Sequence, residues 1–225
     1  TPVYDVINLG ADITIDGDVW SYFALGYTGF TKILDGDGYT INFSSTGSQG
    51  NSAAIFYKTD GATINNLNLV VNTTGLYAPL VYSANNTTFK NINVSGTMGG
   101  ATSATDSFLS GLVHFTTGSP MFENITSSVD FNLPAMTKMQ AGGIAGAVIG
   151  RYDENIWPTG GVYAAQFKNC TYTGTINATF NSGVATEWLW LGGMLSNSQY
   201  HSPTIRYFGM KFENSSSSAT YNYTG

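Results

Sequence analysis

The chain has 225 residues and a net charge of −6, and only 10% of its residues are charged, well under the ~25% usual for soluble domains. Eight basic residues are too few for a phosphate-neutralising stripe, which argues against nucleic acid and against an anionic membrane surface as partners. A hydrophobic share of 42% excludes a disordered chain. The single cysteine, Cys170, excludes an internal disulfide and a cysteine zinc site, and no apolar run approaches the ~20 residues of a membrane helix.

The chain opens Thr1-Pro2-Val3, without Met, which reads as a processed or excised segment. Its first strand-like phrase is Ala11-Asp12-Ile13-Thr14-Ile15-Asp16. Residues 1–30 lack the phrase that organises the rest, so they are expected to form an N-terminal cap, with residues 31–225 supplying the repeats of one domain spanning 1–225. The pairs Asp16-Gly17, Asp35-Gly36, Asp37-Gly38 and Asp60-Gly61 mark turns. In two of these turns the carboxylates Asp16 and Asp18, and Asp35 and Asp37, offer oxygen ligands that suit Ca2+. Two carboxylates are fewer than a calcium loop normally uses, and the turn reading is preferred with no cofactor required.

The organising phrase is Phe, any residue, Asn. It occurs at Phe89-Lys90-Asn91, Phe122-Glu123-Asn124, Phe167-Lys168-Asn169 and Phe212-Glu213-Asn214, with weaker forms at Ile33-Leu34-Asp35 and Ile64-Asn65-Asn66. Alternating stretches such as Ile92-Asn93-Val94 and Cys170-Thr171-Tyr172 follow it and read as strand. Cys170 stands where sister repeats have Ile or Leu, as a small buried hydrophobe. A second phrase, one small residue and two apolar ones, recurs between copies of the first, as in Gly111-Leu112-Val113, Gly143-Ile144-Ala145 and Gly193-Met194-Leu195. Each of about five or six repeats should therefore hold two strand segments, with loop insertions at 99–107, 132–141, 149–165 and 178–190.

No sustained helical period is present, and one phrase returning in one order favours a parallel stack over a meander. The expected fold is all-β: a right-handed parallel β-helix, or solenoid, with loop insertions. Equivalent positions would then stack ~4.8 Å apart. Phe89, Phe122, Phe167 and Phe212 would form an internal aromatic column. Asn91, Asn124, Asn169 and Asn214 would form an amide ladder at a bend whose left-handed backbone Asn tolerates. The middle position, Lys90, Glu123, Lys168, Glu213, alternates in charge as stacking favours.

With Gly142-Gly143-Ile144-Ala145-Gly146, the Phe-x-Asn phrase resembles the GLUG-type repeat of prokaryotic surface proteins. Leu34 to Ile41, Leu-Asp-Gly-Asp-Gly-Tyr-Thr-Ile, looks like the opening rungs of pectin-lyase-like β-helices. The resemblance covers roughly residues 30–220, and the rung spacing is more irregular than in that family. It implies secreted or surface-anchored adhesins and coat proteins, and also polysaccharide lyases and hydrolases.

The sequence argues against an enzyme. The Asn-Thr-Asp, Asp-Asp and Gly-His-Gly phrases of hydrolases resembling this fold are missing. The best catalytic candidates, Arg151, Asp153, Glu154 and Glu187, are scattered over insertions; His114 and His201 share no partner motif. The densest aromatic group is Trp188-Leu189-Trp190, which with Trp157, Tyr152 and Tyr172 would suit sugar stacking or loop packing. Sequons begin at Asn42, Asn72, Asn85, Asn86, Asn93, Asn124, Asn169, Asn177, Asn214 and Asn222, and glycans there would require a secretory route. The expectation is a non-enzymatic extracellular or cell-surface structural protein: a coat, fibre or filament subunit. Its partners would be itself, stacked head-to-tail or laterally, or other surface components. The alternative is an adhesin module that binds carbohydrate or a receptor.

Overall fold

The computed structural model describes residues 5–18, 29–46, 54–75, 78–100, 106–135, 138–149, 165–180, 188–199 and 210–224. These form three parallel sheets. In the largest, strand order follows chain order: Val6–Asn8, Ile33–Asp35, Thr63–Thr74, Thr88–Gly99, Met121–Leu133, Ala165–Lys168 and Met210–Glu213. Ile13–Asp16 and Thr40–Ser45 widen it at its N-terminal end. Thr171–Tyr172, Thr175–Thr179, Ser216–Ser217 and Thr220–Thr224 widen it at the other. The second sheet stacks Phe56–Asp60, Val81–Asn85, Val113–Thr117, Ala145–Ile149 and Leu195–Gln199. The third stacks Asp106–Ser110, Lys138–Gly142 and Trp188–Gly192.

The Asn of each organising phrase sets the bend. Asn66, Asn91, Asn124, Asn169 and Asn214 all have left-handed backbone, with φ between 48° and 55°, a region in which Asn is favoured over most residues. The bend also resets the pleat. In Met121–Leu133, Phe122 points in, Glu123 and Asn124 face out, and Ile125 points in again; strict alternation then runs to Leu133. Ile64, Phe89, Phe122, Phe167 and Phe212 fall in one register column, and Leu67, Ile92, Ile125 and Cys170 follow the bend in the next. Cys170 is fully buried, as expected of a residue standing in for Ile.

One core cluster takes its residues from the first and second sheets and the described part of the third: Ile92, Phe122 and Phe131, Leu80, Val81 and Val113, and Leu109, Met139 and Ala141. The first sheet meets the corner between the other two directly. Ser127 Oγ donates a buried hydrogen bond to the Gly143 carbonyl at 2.6 Å. A methyl group at Gly143 would collide with the Gly193 carbonyl and the ring of Tyr172. The small residue that opens the second phrase is thus required by close approach of backbone and ring.

Two expectations change. Each later repeat carries three strand segments, because the third sheet occupies what reads as insertion: Asp106–Ser110 overlaps 99–107, Lys138–Gly142 overlaps 132–141, and Trp188–Gly192 overlaps 178–190. Met139, Gln140, Ala141 and Gly142 are all buried, so this strand has no polar face and no two-residue period to read. Tyr172 is fully buried in the core with its hydroxyl donating to the Val129 carbonyl at 2.9 Å, which removes it from any sugar-stacking surface. Residues 5–18 of the expected cap pair in parallel register with the next rung, Ile7 on Leu34 and Ile15 on Phe43, as the edge rung of the sheet. Among the described residues, no helix is long and apolar enough to cross a membrane.

Candidate functional site

The most developed feature of the surface is a set of polar columns running across the rungs. In the first, the Asn66 amide donates to Asp35 at 3.1 Å, Asn91 to Asn66 at 2.9 Å, Asn124 to Asn91 at 2.8 Å and Asn169 to Asn124 at 2.9 Å. Asn214 continues the column by register. Two further columns had not been expected. Asn93 donates to Asn68 at 3.0 Å, and Asn68 to the Gly38 carbonyl at 2.7 Å. Asn222 donates to Asn177, and Asn177 to Asn132, each at 2.8 Å. The signal was present as a fixed offset: 132, 177 and 222 lie eight residues past 124, 169 and 214.

All these side chains share one polarity. The Nδ2 of the later rung donates and the Oδ1 or carbonyl of the earlier rung accepts. The internal phenylalanines stack beside them, with ring centroids 5.1 Å apart for Phe89–Phe122, 4.7 Å for Phe122–Phe167 and 5.0 Å for Phe167–Phe212. Phe212 is 47% exposed, since no described rung covers it. Between bend and core, Glu123 accepts from Lys90 at 3.2 Å and from Lys168 at 3.3 Å. Those two ammonium groups hold its carboxyl below the usual range. Glu213 is lowered mainly by Lys211, 2.9 Å away, with Lys168 a smaller contributor. The alternation in sign read from the sequence therefore operates as pairing across Lys90, Glu123 and Lys168.

The other predicted site residues divide as follows. Asp16, Asp18, Asp35 and Asp37 lie in or beside turns, where the carboxylates of Asp16, Asp18 and Asp35 accept hydrogen bonds. Asp18 backbone N–H donates to Asp16 Oδ1 and Asp37 N–H to Asp35 Oδ1, both at 2.9 Å. Asp18 accepts from Ser45 Oγ at 2.6 Å and from the Thr46 N–H at 2.9 Å. No group of three or more His, Cys, Asp or Glu side chains placed to hold a metal occurs among the described residues. Tyr152, Trp157, Arg151, Asp153, Glu154, Glu187 and His201 lie outside the described residues. Trp188 and Trp190 belong to the third-sheet strand Trp188–Gly192, in register with Lys138 and Gln140, and Trp190 is half-buried.

Six sequon asparagines already commit Nδ2, the nitrogen a glycan would occupy. Asn93, Asn124, Asn169, Asn177 and Asn222 do so in the columns above, and Asn85 donates to Asp60 at 2.7 Å. Asn86 has left-handed backbone and accepts from the Ser119 N–H at 2.9 Å. Asn72 is exposed and Asn42 half-buried.

A second aromatic group escaped the sequence. Tyr57 and Tyr82 stack at 5.2 Å on the second sheet, and Tyr82 meets His114 at 5.3 Å and Phe115 edge-on at 5.6 Å. His114 also faces Phe108 at 6.4 Å. Burial in this aromatic setting lowers its pKa to about 3, so the imidazole is neutral at physiological pH. Comparison with protein-family models, with curated proteins and with solved structures found no match.

Proposed function

We propose that the chain is a right-handed parallel β-helix serving as a non-enzymatic structural segment of an extracellular surface protein, such as a coat, fibre or adhesin stalk. The observation that carries this reading is the continuity of the polar columns and the phenylalanine stack along the rungs. Among the described residues, equivalent side chains on successive rungs bond to one another. Contact of Ser127 and Tyr172 with the corner at Gly143 supports winding of the three sheets around one interior. A polar outer surface with few charges suits a protein outside the cell. The resemblance to GLUG-type and pectin-lyase-like repeats points the same way.

The experiment is to incubate the purified chain with pectin, alginate and related glycans while imaging it by negative-stain electron microscopy. Uniform compact particles and unchanged glycans are expected. New reducing ends or unsaturated products would overturn the non-enzymatic reading.

A carbohydrate-binding adhesin module is the second reading, favoured by one observation: the stacked pair Tyr57–Tyr82 on the second sheet. Tyr82→Ala combined with Trp190→Ala should then abolish retention on a glycan array. If the unaltered chain is not retained on the array, this reading fails.

A further inference from the structure

We draw no further inference here: the strongest candidate, the buried polar side chains of Ser110, His114 and Gln140 at the corner between the second and third sheets, leaves no space for a guest where Ser110 Oγ and His114 Nδ1 close over Gly146, and nothing in the structure shows a ligand that it would take.

Discussion

At the scale of single residues, the bend asparagines combine two requirements that few side chains meet together. Asn124 holds φ at 55° while its amide donates to Asn91 and accepts from Asn169. Asn124→Gly should lose the column bonds but keep the backbone; Asn124→Ala should lose both. We expect Ala to be the less stable variant by about 1 kcal/mol, the left-handed penalty of a residue with a Cβ, measured by chemical denaturation. His114 makes a second prediction. Its pKa is about 3 in the fold and 6.5 as the ordinary value. The unfolded chain therefore binds a proton that the folded chain refuses between those values. Stability should be complete above about pH 6.5 and fall as the pH drops toward 3, by a total on the order of 4 kcal/mol. Denaturation of His114→Phe across that range should show a flatter profile above the carboxylate region. An unchanged slope would mean that burial of His114 is not what sets it.

At the scale of elements, much was legible because the stack repeats itself in the sequence. The Phe-x-Asn phrase marked both the inner column and the bend, since a ring pointing in and an αL residue two positions later must recur together in every rung. The third sheet was not legible, because Lys138–Gly142 is buried on nearly its whole length and has no alternation. The column of Asn132, Asn177 and Asn222 was hidden by its distance from the phrase, although its register follows from it. The Tyr57–Tyr82–His114 group was hidden because three different phrases carry it. Charge pairing between rungs yields a further prediction. Glu123 lies between Lys90 and Lys168, so Glu123→Lys would place three ammonium groups on consecutive rungs. Such exposed pairs are weak and screened by salt. Thermal melts should show a lowered midpoint at low ionic strength that is partly restored at high ionic strength. A midpoint insensitive to salt would argue that the loss comes from packing.

At the scale of the whole molecule, the polar columns give the stack a direction. Two columns start on acceptors in the rung of residues 29–46, the Asp35 carboxylate and the Gly38 carbonyl, and a third starts at Asn132; in each the later amide donates to the earlier rung. The interior of the stack is shared because small residues at the corner of the second and third sheets let the first sheet come close. Tyr172 is the clearest instance, packed against the places where Gly143 and Gly193 have no side chain. That contact also raises the cost of ionising its phenol: burial pushes the pKa of Tyr172 up, with the charges of Asp130 and Tyr221 adding to it. The measurement that bears most directly on winding around one interior is nuclear magnetic resonance of the two corner glycines. We predict nuclear Overhauser contacts from the Tyr172 ring to the Hα atoms of Gly143 and Gly193. Both Hα resonances should be displaced by the ring current and return toward ordinary values in Tyr172→Leu. Glycine resonances without those contacts, and indifferent to loss of the ring, would contradict the account by separating the first sheet from the corner it is held to cover.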